Sequence, residues 1–261
     1  MNAANTVLLT DDADAKAAAG RRFHAAALAG PLPRATAPAE TPARPAAPPL
    51  VHPSKLKRRG VGSERGRASL LHAIAHIELN AIDLSADMVA RFADDPAVGD
   101  ARCDFVCDWS RVCDDEARHF AMLQGRLAEL GFFYGDFPAH DGLWDAARAT
   151  RHDIAARLAV APLVLEARGL DVTPSMIAKF DAVGDGRSAD ILRTIYSEEI
   201  SHVETGMRWF RHVAEARNHP AEAYFQDLVR AHFRGQLKPP FNEAARNLAQ
   251  FPARFYAPLA K

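Results

Sequence analysis

The sequence predicts an all-α protein built on a four-helix bundle, with extra short helices and an extended Pro/Ala-rich N-terminal arm. Three observations carry this. Apolar residues recur at helical spacing over four long segments after residue 63. Strand signals are nearly absent, with few β-branched runs and no Asn-Gly hairpins. A glutamate interrupts each apolar stripe near its middle.

In chain order, residues 1–60 read as an arm and linker. Eight of the 17 prolines fall between Pro31 and Pro53, in a run without aromatics or period, which suits an extended segment lying over the surface. Asp11–Leu28 has the composition of a short helix. The body of the fold is expected over 61–250, with 251–261 as a C-terminal tail. The first long helix is expected from about Ser63 to Phe92, with the stripe Leu71, Ile74, Glu78, Ala81, Ser85, Met88 and Phe92. Asp95-Pro96 has the chemistry of a cap followed by an N1 proline, so the second is expected from there to Gly131. Its stripe is Val106, Trp109, Cys113, Glu116, Phe120, Leu123, Leu127 and Leu130.

The third helix is expected over 152–168, with Ala155, Ala159, Pro162 and Glu166 on one face, ending at Gly169. Thr173-Pro174 then opens a short helix that ends at Gly184. The fourth long helix covers about 188–216 with the stripe Leu192, Ile195, Glu199, His202, Gly206, Trp209 and Val213. Residues 220–233 and 242–250 read as short outer helices. The glycine-rich aromatic stretch 131–151 suits a crossover, and its Phe132, Phe133, Tyr134 and Trp144 are candidates to line a substrate approach.

Composition excludes several function classes. A net charge of −1 argues against a protein that coats phosphate backbones. Three cysteines cannot form a disulfide scaffold, and an odd count fits a reducing compartment, so a cytoplasmic location is expected. No stretch approaches the ~20 apolar residues of a membrane helix, and Val7-Leu8-Leu9 followed by Asp11, Asp12 and Asp14 is no secretory leader. No membrane partner is expected; a homodimer stays open.

The glutamates carry the chemistry. Burying four carboxylates in one bundle core costs several kcal/mol each unless something neutralises them. The second and fourth helices each hold a Glu-x-x-His, Glu116/His119 and Glu199/His202, while the first and third offer lone Glu78 and Glu166. Residues three apart on a helix lie about 60° apart around its axis and about 4.5 Å along it, so one ion can take both. With 12 Glu and 11 His in the chain, roughly half a Glu-x-x-His arises by chance; two, each on a core stripe and in the order Glu, Glu-x-x-His, Glu, Glu-x-x-His, are far less expected. Four carboxylates and two imidazoles form a ligand set for two iron ions, with manganese or a mixed iron/manganese pair as the alternative.

Asp115 and Glu198 precede the motif glutamates and are expected to orient the histidines of the opposite helix, Asp115 on His202 and Glu198 on His119. Pro162, one turn before Glu166, bends its helix, either opening room beside the metals or only curving it. Tyr196, three before Glu199, is a near-site candidate or a core aromatic. Cys103, Cys107 and Cys113 read as small core residues, and His72, His76 and His140 as polar contacts. The basic cluster Lys55, Lys57, Arg58, Arg59, Arg65 and Arg67 is a solvated junction or an anion contact.

AHIELNAIDL (75–84), DDEARHF (114–120), GDFPAHDGLW (135–144), LVLEARGLDVTP (163–174) and YSEEISHVETG (196–206) resemble the bacterial family catalogued as domain of unknown function 455, and more broadly the ferritin-like di-iron carboxylate superfamily. The likeness covers about 60–250 and leaves the Pro/Ala arm outside. It implies metal-ligand roles for Glu78, Glu116, His119, Glu166, Glu199 and His202. The tRNA-modifying di-iron monooxygenases are a distant likeness. The expected function is therefore an O2-dependent di-iron hydroxylase or monooxygenase that takes electrons from an external donor and acts on a small molecule or tRNA. The alternatives are a ferritin-like ferroxidase and a metal-stabilised module without turnover.

Overall fold

A computed structural model describes residues 2–34, 38–56 and 60–260. Lys57, Arg58 and Arg59 of the basic cluster lie outside the described residues. Among those described the chain is all-α, and no helix is long and apolar enough to cross a membrane.

The N-terminal segment departs from the expected arm. Helices α1 (Ala3–Leu8) and α2 (Ala13–Ala29) belong to the core: Val7, Leu8 and Phe23 are buried, and α2 packs along α4 (Arg102–Glu129). Asp12 caps α2 by accepting from the Ala15 amide at 2.8 Å. Alanines supply most of its buried face, which blurs the contrast between apolar and polar sides in the sequence. The proline-rich run is pinned too: Arg44 donates to the buried Asp83 at 2.8 Å, and Val51 donates to the Ala139 carbonyl. The expected tail likewise buries Phe251, Phe255 and Tyr256.

Helix α3 (Glu64–Phe92) starts at Ser63, whose hydroxyl accepts from the Gly66 amide. It packs against α1, α2, α4 and α5 (Gly142–Ala149), so it is buried almost all round from Leu71 to Ala90. Helix α4 begins seven residues later than Asp95-Pro96 suggested. Asp95 caps a tight turn instead, accepting from the Ala97 amide, and Gly99 (φ +57°) redirects the chain before Arg102.

The third long element also differs. Helix α6 (Ile154–Val160) runs into a π-helical turn (Ala161–Glu166) and on into α7 (Ala167–Ala182), without stopping at Gly169. Pro174 removes the amide that would bond the Leu170 carbonyl. The Asn242 side chain replaces that donor at 3.1 Å, so the helix survives its proline. The other partner is α8 (Gly186–Ala216), capped by Asp185. Gly206 of α8 lets Pro162 approach closely: a Cβ there would sit 2.6 Å from the proline Cβ. Thus α3 pairs with α4, α7 pairs with α8, and α4 meets α8 between the pairs. Short helices α9 (Ala221–His232), α10 (Glu243–Leu248) and α11 (Ala253–Tyr256) cover the outside.

Candidate metal centre

Helices α4 and α8 bring their Glu-x-x-His pairs face to face. The two imidazole centroids are 5.7 Å apart. His119 Nδ1 lies 3.0 Å from Glu78 Oε2 and 3.6 Å from Glu116 Oε2. His202 Nδ1 lies 3.1 Å from Glu116 Oε1 and 3.6 Å from Glu199 Oε1. Both Nδ1 atoms therefore point into the acid cluster. One ligand atom each from Glu78, Glu116, His119 and Glu199 falls within 4.8 Å of the others, a group that could hold a metal ion. Glu166, the last residue of the π-helical turn, borders the same cavity as Glu78, Glu116 and Glu199.

Outward, each Nε2 meets an acid of the opposite helix: Glu198 Oε2 at 2.6 Å from His119, and Asp115 Oδ2 at 3.3 Å from His202. Arg118 closes this layer by donating to Asp115 at 2.5 Å and to Glu198 at 3.1 Å. Arg118 lies off the apolar stripe, so no pattern marks it in the sequence, yet it sits three residues after Asp115, within reach of that carboxylate.

The electrostatics follow from crowding carboxylates and imidazoles together out of water. Burial, with the Glu116 charge beside it, lifts the Glu78 carboxyl well above the usual carboxylate range. Burial and Glu199 raise Glu166 to about 8. At Glu116 burial is outweighed by the two histidines, and its carboxyl falls below the usual range. Burial opposes a charge on His119, but Glu116 and Glu78 overcome it and raise its pKa to about 11; Glu199, Asp115 and Glu116 do the same for His202. Both Glu116 oxygens, Glu166 Oε2 and His202 Nδ1 are buried without a well-aligned hydrogen bond. Buried carboxylate oxygens facing one another fit a cationic ligand, and carboxylate oxygens with imidazole suit a hard or borderline divalent metal.

Other predicted residues lie elsewhere. The Tyr196 hydroxyl accepts from Asn242 at 2.8 Å, on the side of α8 that meets α10. Pro162 packs on Gly206 inside the π-helical turn. Phe132, Phe133, Tyr134 and Trp144 do not line the cavity beside the acids. Tyr134 stacks on His72 and hydrogen-bonds His76, whose other nitrogen faces the His140 carbonyl. Cys113 is buried, but Cys103 is exposed and Cys107 half-buried.

The chain is 41% identical over 209 residues to an uncharacterized protein of Haemophilus influenzae, a match covering 79% of this chain and 72% of that relative. No solved structure matches. The family model described as "Protein of unknown function (DUF455)" matches residues 9–257, so it takes in most of the N-terminal segment that the sequence likeness had left outside. Its span holds both Glu-x-x-His pairs and both lone glutamates, and the chain belongs to this DUF455 family.

Proposed function

We propose that the protein is a ferritin-like di-iron oxidoreductase, an O2-dependent monooxygenase. Its four-helix bundle would be α3, α4, the continuous α6–α7 element and α8. Glu78, Glu116, His119, Glu166, Glu199 and His202 would hold two iron ions, with manganese as the alternative. The observation that carries the reading is the convergence of two Glu-x-x-His pairs and two lone glutamates, with both Glu116 oxygens, Glu166 Oε2 and His202 Nδ1 buried outside any well-aligned hydrogen bond. Two divalent ions would balance four carboxylates, whereas the two imidazoles can carry at most two positive charges.

Bound to this set, a pair of iron ions would supply O2 activation: one oxygen atom enters a substrate C–H bond and the other leaves as water, using two electrons from an external donor and two protons from solvent. The chain's own work is positional. Asp115 and Glu198 accept from the outward Nε2–H groups and hold both imidazoles with Nδ1 inward. Arg118 ties those two acids together. The π-helical turn presents Glu166, in keeping with the frequent placement of such turns at functional sites. The small, mainly aliphatic cavity suits a small molecule better than tRNA, as does the net charge of −1. Free thiols and an external reductant fit the cytoplasm.

Metal analysis of aerobically purified protein tests this reading, with about two iron or manganese ions expected per chain. Finding neither sinks it. With iron present, O2 uptake that needs both reductant and an organic substrate supports a monooxygenase. Uptake driven by iron(II) alone, yielding ferric mineral, moves the protein to iron handling.

A further inference from the structure

The geometry points to a substrate class: an aliphatic molecule with an anionic end, seated with its tail toward the carboxylate cluster and its anion at Arg168. This deepens the monooxygenase reading and rests on it for the chemistry, though not for the binding.

A cavity of about 180 Å³ opens beside the cluster, and Glu78, Glu116, Glu166 and Glu199 form its inner end. Its walls are aliphatic: Ile74, Val172, Met176, Leu192 and Ile195 come from α3, α7 and α8. A dry cavity of about 150 Å³ in another protein accepts benzene, so this one takes roughly six to eight carbon atoms. The outer end is marked by Ile77, which is 47% exposed on a helix otherwise buried from Leu71 to Ala90 apart from half-buried Ala73.

Arg168 borders the cavity with a side chain 41% exposed. Its nearest acid, Asp171, is already engaged. Arg246 donates to both Asp171 oxygens, at 2.9 and 2.7 Å, and the Asn242 amide adds a third bond. Arg168 reaches Asp171 only at 3.3 Å and spends its best bond on the Lys238 carbonyl at 2.8 Å. Arg246, buried behind Asp171, already balances that carboxylate, so the charge of the half-exposed Arg168 at the cavity border is left largely uncompensated. The inner end carries four carboxylates, so an anion can face only outward. Charge therefore sets the orientation, and apolar area supplies the affinity.

Calorimetric titration of the purified protein with hexanoate, hexan-1-ol and hexylamine tests this, with metal content measured on the same samples. Hexanoate is expected to bind about tenfold or more tightly than hexan-1-ol, the size of a charge-assisted bond to arginine, and hexylamine weakest in metal-loaded samples, where the carboxylates no longer attract its ammonium. Across butanoate, hexanoate, octanoate and decanoate the affinity should rise and then level off. Arg168→Gln should bring hexanoate down to the level of hexan-1-ol while leaving hexan-1-ol binding unchanged. Met176→Trp should abolish binding of all three, and Ala81→Met, from the opposite wall, does the same if the first variant fails to fold. No saturable binding of hexanoate, equal affinity for all three probes, or an unchanged hexanoate affinity in Arg168→Gln overturns the proposal. Metal present without hexanoate binding sinks only this inference. Binding without metal supports it and sinks the di-iron reading.

Discussion

Two sets of buried acids share helix α3 and are treated in opposite ways. Asp83 and Asp87, toward its C-terminal end, are fully buried and face cations: Lys16 and Arg44 for Asp83, Arg91 and Arg157 for Asp87. Glu78, little more than one turn before Asp83, faces a histidine and another carboxylate. The first set holds the fold together, since Lys16 ties α2 to α3 and Arg157 ties α6 to α3. The second set is left with an excess of acid and with oxygens outside any well-aligned hydrogen bond. The difference teaches how to tell a structural carboxylate from a ligand in this molecule: by what is missing from its surroundings, not by how deeply it is buried.

The sharpest way to break this comparison is to remove an acid from the first set. Asp87→Ala strands Arg157, a buried guanidinium that cannot neutralise itself by losing a proton. The expected cost is about 3–5 kcal/mol of unfolding free energy, read by urea denaturation. Asp83→Ala should cost less, because burial already lowers the Lys16 pKa and the amine can shed its proton. A loss below about 1 kcal/mol in Asp87→Ala would show that these pairs do not hold the fold.

The second set should behave in the reverse sense. Glu116→Gln removes a charge from a crowd of acids, so in metal-free protein its effect on stability should lie within about 1 kcal/mol of zero or favour folding. Anaerobic iron(II) or manganese(II) should stabilise the wild type by about 2.7–4.1 kcal/mol at 100–1,000 times the dissociation constant. Thermal melts should show the same gain in Asp87→Ala and none in Glu116→Gln. An equal gain in Glu116→Gln would remove Glu116 from the ligand set.

Much of the second set was legible in the sequence, and much of the first was not. Glu78, Glu116, Glu199 and His202 stand out because a charged residue on an apolar stripe violates the local pattern, and the violation recurs at matching positions. Lys16 and Asp83 carry no such mark. Lys16 lies among alanines in a segment with weak amphipathicity, and its partner is 67 residues away. The same limit hid the course of the third helix. Gly169 and Pro174 are local stop signals, and they are overruled by Asn242 and by Arg246, which donates to the Ala167 carbonyl. Because the helix continues, Val172 and Met176 reach the cavity, so no reading that stops at Gly169 could place them there.

The smallest expected effects separate the two acids that back the histidines. Glu198 meets His119 Nε2 at 2.6 Å, whereas Asp115 meets His202 Nε2 at 3.3 Å. A carboxylate behind a ligating imidazole fixes the ring and raises its basicity, and losing one costs about 10–100-fold in metal affinity. The shorter contact places Glu198→Gln near the upper end and Asp115→Asn near the lower. Arg118 spans both acids, so neither amide variant collapses the layer, and unfolding free energy should move by less than about 1 kcal/mol. Competition with a chromophoric chelator reads the affinity, and denaturation of the same samples reads the stability. Asp83→Asn is the matching control from the first set: it should lower stability and leave metal affinity untouched. Were Glu198→Gln to lower stability as Asp83→Asn does, with metal affinity unchanged, Glu198 and Arg118 would belong to the structural ion pairs, and the distinction drawn along α3 would not extend to the layer behind the histidines.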